Sequence, residues 1–322
     1  MNIARPLLYS LLLILGASCF QNKSYTWIPL HYYHKWAFPF VELEIEGKCI
    51  PCEVDLGATG FVAVREEILQ NIKQKKFIKQ KITVGIKSYR YESPVFLIPN
   101  LKLGGWSFKD TQVAQESNEF RKNAVVLPPT RPEKDAPQDK TQGRLGSQFF
   151  TPYCCLFDFF RAKIVIAKDK NVMGRYTSLS RFFQMPFEQT SGGHIFLTVT
   201  TDAGTHRFLL DTCANFSAIR QSLISPQSNI EVYPSRKFFV SNKLVLSGVD
   251  SGNWKFFIYE FDEWKDIDGI LGLDFFYKHE IILDFQTKTA YIKPPRSFFE
   301  IFLKSLLLIF FGPQDTCKVA AN

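Results

Sequence analysis

The sequence predicts an all-β protein built as two related lobes. Three observations carry that expectation. Aromatic residues make up 15% of the 322, with 32 Phe among them, and the apolar residues fall in many short runs, a usage that suits strands better than helices. Several runs alternate apolar and polar side chains with period two and end at a Gly or Asp turn. The same succession of such runs then occurs twice along the chain.

Length and composition set the frame. A chain of 322 residues is long enough for two modest lobes or one large β domain. With 46% hydrophobic and 22% charged residues, it can bury a core, and extensive disorder is excluded. The formal net charge is +8. Its Lys and Arg are scattered, without a dense basic helix or stripe, so the charge reads as a generally basic surface and nucleic acid is not an expected partner.

The first residues read as a targeting segment. Arg5 precedes an apolar run from Leu7 to Gly16, and small residues follow at Ala17 and Ser18. This is the order of a secretory signal over 1–18, and the run is shorter than the roughly 20 residues of a membrane span. Cys19 directly after the small residues resembles a bacterial lipoprotein processing site; a plain signal peptide cut near Ser18 stands beside it. Either way the chain is expected to be exported to the bacterial cell envelope (periplasm or outer membrane), with membrane anchoring through Cys19 in the lipoprotein case. The sequence has seven cysteines. Apart from Cys19 these are Cys49, Cys52, Cys154, Cys155, Cys213 and Cys317, which could form up to three bridges in an exported chain. Cys154 and Cys155 point to opposite faces of one strand and are not expected to bridge each other.

After an N-terminal segment at 19–40, the first lobe is expected over 41–168. It opens with the alternating run Val41-Glu42-Leu43-Glu44-Ile45, turns at Glu46-Gly47, and returns through Ile50 to Val54-Asp55-Leu56-Gly57-Ala58-Thr59. The second lobe, expected over 194–293, opens with Ile195-Phe196-Leu197-Thr198-Val199-Thr200. It turns at Asp202-Ala203-Gly204 and returns through Phe208-Leu209-Leu210 to Asp211-Thr212-Cys213-Ala214-Asn215. Each is a β-hairpin whose second strand ends on an aspartate. A middle element follows in both: Leu101-Lys102-Leu103 before Gly104-Gly105, and Leu244-Val245-Leu246 before Gly248.

The third element repeats most clearly. Gly143-Arg144-Leu145-Gly146, Phe149-Phe150, Asp158-Phe159 and Ile164-Val165-Ile166 match Gly269-Ile270-Leu271-Gly272, Phe275-Phe276, Asp284-Phe285 and Ala290-Tyr291-Ile292. The interval from Gly146 to Asp158 equals that from Gly272 to Asp284. Residues 169–193, of mixed composition, read as a linker. Residues 127–142, rich in Pro and charge, read as an exposed loop. An apolar tail is expected over 294–322. Its stretch from Phe298 to Phe311 is interrupted by Glu300 and Lys304 and reads as an amphipathic helix, packed on the lobes or lying in a membrane interface.

One aspartate turn per half suggests a chemistry. Two carboxyl groups brought together cannot both ionise comfortably, so one keeps its proton, and the pair then supplies a base and an acid around one water. In this context Val54-Asp55-Leu56-Gly57-Ala58 and Leu210-Asp211-Thr212-Cys213-Ala214 resemble the Asp-Thr-Gly-Ala signature of the retropepsin and pepsin-like aspartic protease superfamily. The later Arg144-Leu145-Gly146 and Ile270-Leu271-Gly272 are similar to that family's apolar-apolar-Gly element, which packs beneath the Asp turn.

The resemblance implies a two-lobed pepsin/retropepsin-like fold with a central cleft. It implies aspartic endopeptidase activity with Asp55 and Asp211 as the catalytic pair, and it gives Gly57, Thr212 and the flap aromatic Tyr89 as substrate-binding residues, with Tyr91 as the other candidate for the flap. It implies a monomer acting on a peptide or protein substrate, with no cofactor and no metal. Two departures accompany it. Leu56 stands where a hydroxyl normally grips the other half, and Cys213 stands where the family has Gly. A catalytically weakened or inactive form that binds peptides or proteins is therefore the alternative expectation, and a structural β-rich envelope protein a third.

Other motifs are weaker. Cys49-Ile50-Pro51-Cys52 has redox CxxC spacing but lies within a strand pattern, with no following helix to lower a thiol pKa. His31, His34, His194, His206 and His279 are dispersed, without carboxylate or Cys neighbours in zinc-like spacing. No Gly-rich phosphate loop follows a strand.

Overall fold

A computed structural model describes residues 24–32, 38–84, 90–116, 141–234, 236–261 and 264–294. The expected signal segment, Cys19, Tyr89, most of the Pro-rich loop and nearly all of the C-terminal tail lie outside these residues.

The chain is all-β, in three sheets of seven, ten and six strands. In the seven-stranded sheet, Phe40–Ile45 and Lys48–Asp55 form the expected hairpin, with Val41 opposite Cys52 and Ile45 opposite Lys48. Alternation along Phe40–Ile45 sends Val41, Leu43 and Ile45 into the core and leaves Glu42 and Glu44 at the surface. Lys48–Asp55 then runs parallel to Gly143–Gly146, bringing Asp55 opposite Gly146, and Gly143–Gly146 pairs antiparallel with Val62–Arg65.

The ten-stranded sheet repeats this arrangement. Ile195–Thr201 and Gly204–Leu210 form a hairpin. Gly204–Leu210 runs parallel to Gly269–Leu271, and Gly269–Leu271 pairs antiparallel with Ala218–Arg220. The expected Gly stops fall at matched turns. Gly104 (φ 58°) and Gly105 (φ 85°) link Arg90–Leu103 to Trp106–Glu116, and Ser247 (φ 49°) with Gly248 (φ 80°) links Val245–Leu246 to Val249–Asp250. These left-handed conformations favour glycine.

The six-stranded sheet belongs to both halves. Its order is Tyr25–Pro29, Lys163–Ala167, Cys154–Asp158, Ile281–Asp284, Thr289–Ile292 and Phe183–Pro186. The two Asp-Phe hairpins meet at its centre, where Leu156 faces Ile282 and Cys155 faces Leu283. The stretch read as a linker contributes to this sheet through Phe183–Pro186 and also forms the helix Lys170–Tyr176, capped by the Asp169 carboxylate accepting from Val172 N. One hydrophobic cluster runs through both halves, including Leu56, Phe150, Phe159, Leu210, Phe276 and Leu283, with the rings of Phe159 and Phe276 5.2 Å apart.

The described cysteines Cys49, Cys52, Cys154, Cys155 and Cys213 carry free thiols. Cys49 is exposed and Cys52 buried on the opposite face of one strand. Burial, then the charges of Glu42 and Glu44, raises the Cys49 thiol above its ordinary pKa, the reverse of an activated redox cysteine.

Candidate functional site at the paired aspartate turns

Each aspartate ends a strand and closes a turn on its own carboxylate. Ala58 N donates to Asp55 Oδ1 at 3.0 Å; in the other half Cys213 N donates to Asp211 Oδ1 at 2.8 Å. A short helix after the second Gly clamps each turn from below. Ser147 N donates to Ala58 O at 3.1 Å, and Leu273 N donates to Ala214 O at 2.7 Å. The helix can approach because Gly146 and Gly272 have no side chain: a Cβ there would lie 2.5 Å from Gly60 O and 2.6 Å from Ala214 O respectively.

The two turns interlock. Thr212 Oγ1 accepts from Leu56 N at 3.0 Å and donates to Val54 O at 2.5 Å, so a fully buried hydroxyl of one half holds the backbone of the other. Leu56 cannot return the bond: it is fully buried and joins the core, leaving the cross-link one-sided. The Cys213 Sγ lies 3.8 Å from Val54 O, and burial, then the charge of Asp55, drives its thiol well above the ordinary pKa. Gly57 packs directly on Asp211: a Cβ at Gly57 would fall 2.5 Å from Asp211 Cγ. The structure thus brings together four of the five expected site residues, Asp55, Gly57, Asp211 and Thr212.

Charged residues not singled out for the site complete it. Arg144 Nη1 donates to Asp55 Oδ2 at 3.0 Å, and its Nη2 pairs with Glu116. Burial opposes the Arg144 charge, but Glu116, then Asp55 and Glu53, outweigh it and hold the guanidinium well above its ordinary pKa. Lys81 Nζ donates to Thr59 O at 3.2 Å; burial, then Lys79 and Arg144, lowers its pKa. His194 lies near the first turn from the second half, and burial lowers its imidazole pKa despite the charge of Asp55.

The aspartates are therefore not equivalent. Burial, then the negative charge of Asp55, pushes the Asp211 carboxyl up to about 7, against the backbone N–H of Cys213 and the charge of Arg144. Up to near-neutral pH the centre holds a neutral Asp211 beside an Asp55 paired to a guanidinium. Arg144 carried a signal in the sequence: it is the one charged residue in an element whose second copy reads Gly269-Ile270-Leu271-Gly272. Glu116 and His194 had no such pattern, and the fold alone delivers them.

Solved structures share this architecture across nearly the whole chain. Conglutin gamma, a basic 7S globulin from lupine seeds, matches with a TM-score of 0.59 at 10% identity over 87% of this chain and 97% of its own. The basic 7S globulin of soybean matches with a TM-score of 0.57 at 9% identity over 85% and 95%. No protein-family model matches the sequence. No curated protein matches it either.

These findings correct the family reading. Both of these structural neighbours are basic 7S globulins, and the expected membership of the pepsin and retropepsin-like aspartic proteases, with the specific fold it implied, is not supported. The physical reason lies in what the motifs encode. An Asp-x-Gly-Ala turn with a Gly-clamped helix specifies a local backbone geometry, which different proteins can share. Two residues around it, Leu56 and Cys213, depart from the pattern that carried the resemblance. At such low identity the likeness speaks for the fold alone.

Proposed function

We propose that this protein binds an extended polypeptide over the paired aspartate turns and does not cleave it efficiently. The observation that carries the reading is the ion pair of Arg144 with Asp55, at 3.0 Å, between side chains that are 18% and 8% exposed. A carboxylate committed to a guanidinium is a poor base for water, and returning a proton to it in a reaction cycle breaks a buried ion pair. Asp55 Oδ1 is also engaged, by Ala58 N. The site keeps features suited to holding a chain: a neutral Asp211 that can donate, and the Lys76–Val84 strand, which reaches the first turn through Lys81.

A second reading is slow peptide-bond hydrolysis, with Asp211 as the acid and a water between the carboxyl groups. It is favoured by the meeting of the two aspartate turns, where Gly57 packs on an Asp211 carboxyl that burial pushes up to about 7. One experiment separates the two. The full chain is incubated with a mixed peptide library at mildly acidic pH, with cleavage followed by mass spectrometry and retention by filtration. Retention without cleavage that falls in Asp211→Asn supports binding over the aspartate turns. Cleavage that disappears in both Asp55→Asn and Asp211→Asn supports hydrolysis. A protein that neither retains nor cleaves any peptide overturns both.

A further inference from the structure

Exposed large apolar side chains are not spread over this protein. Among the described residues they are Trp27 and two groups: Phe77 (53% exposed), Ile78 (37%) and Ile82 (62%), then Ile230, Val232 and Tyr233. The first group lies on Lys76–Val84, the last strand of the seven-stranded sheet; the second lies on Ile230–Tyr233, the last strand of the ten-stranded sheet. Both strands belong to a hairpin between the aspartate turn and the second Gly element of their half. Six of the seven exposed apolar residues thus sit on two strands that, among the described residues, have no further strand paired to their outer side.

The first edge is the longer, with nine residues against four, and it is strongly basic. Lys73, Lys75, Lys76, Lys79 and Lys81 lie in or just before it, with no acidic residue between them. Lys76 and Lys79 are exposed, and no ion pair engages them among the described residues. Lysines and a bulge, here at Phe77–Lys79, also guard edges against unwanted pairing. That guard is selective by charge: a second copy would set lysines against lysines, whereas an acidic strand gains from the same residues. Guarding alone does not explain why Phe77, Ile78 and Ile82 are left to solvent.

We infer that the outer edge of Lys76–Val84 is a docking site for an extended acidic polypeptide. The partner adds as a further strand, its backbone pairing with the free edge, its carboxylates facing Lys76 and Lys79, and its apolar side chains covering Phe77, Ile78 and Ile82. This site does not depend on the aspartate pair.

The test uses the full chain and a labelled nine-residue peptide of alternating Glu and Val, followed by fluorescence anisotropy. Saturable binding is expected. It should weaken by about tenfold or more in Lys76→Glu/Lys79→Glu, be lost with a Lys-Val peptide, and persist in Asp55→Asn. A peptide N-methylated along one edge should lose binding while its counterpart methylated along the other keeps it, a readout on the unaltered protein that requires strand pairing. Equal binding of both methylated peptides, or an unchanged double variant, overturns the proposal. So does capture by phosphatidylserine vesicles that falls in the double variant while the Glu-Val peptide fails to bind; that outcome assigns the edge to an anionic membrane surface instead.

Discussion

At the scale of single residues, Arg144 and Asp211 set the character of the aspartate centre. Arg144 joins Asp55 and Glu116, whose side chains are 8% and 3% exposed. Removing one partner of such a group leaves the others buried and uncompensated, so Arg144→Leu should cost about 3–5 kcal/mol of stability, measured by urea denaturation. Asp211 contributes with the opposite sign. Its folded pKa of about 7 stands above the ordinary 3.8 of an aspartate. As pH rises, the unfolded chain releases this proton first, so stability falls from about pH 4 and levels off above about pH 7. Asp274, raised to about 6 by burial, declines in the same direction over a narrower range. The fall between about pH 6 and about pH 7 therefore belongs to Asp211, and Asp211→Asn should flatten it in urea midpoints taken across that interval.

At the scale of elements, the turns depend on close approach and on one hydroxyl. Gly57→Ala would drive a methyl into the Asp211 carboxyl, and Gly272→Ala would drive one into the Ala214 carbonyl. Each should lower stability by about 1–3 kcal/mol or more, seen as a drop in melting temperature. Gly252→Ala supplies the control, since its Cβ would meet nothing within 4 Å although its φ is +81°; its loss should be the smaller. Thr212 holds the opposite half through two buried bonds. Thr212→Val keeps the volume and removes both, leaving Leu56 N and Val54 O without this partner, so a loss of about 1–3 kcal/mol is expected in the same denaturation assay. The hairpins were legible as elements because alternation such as Val41-Glu42-Leu43-Glu44-Ile45 fixes which face is buried. The short helices Ser147–Phe150 and Leu273–Lys278 were not foreseen, because runs of four and six residues are too short to display a helical period.

At the scale of the whole molecule, the halves are tied by the shared six-stranded sheet and one continuous cluster. Strand Cys154–Asp158 is buried throughout, and on one side its partner is Ile281–Asp284 from the second half. Residues 24–168 expressed alone would expose that edge and the apolar cluster behind it. Neither this fragment nor 183–294 should melt cooperatively by circular dichroism, whereas the two mixed should regain a single transition; cooperative melting of either fragment alone would refute this coupling. The sequence by itself determined the all-β class, the paired hairpins, the aspartate at the end of each and the repeated Gly element that follows it. These follow from alternation, turn residues and spacing, which act between near neighbours. Only the tertiary structure decided that Arg144 meets Asp55 across 89 positions, that Thr212 grips Val54 across 158, and that the two Asp-Phe hairpins close one sheet. Those contacts join residues far apart in the chain, where no local period records which side chain will arrive. They set the charge state of the aspartates, and with it the chemistry open to the site.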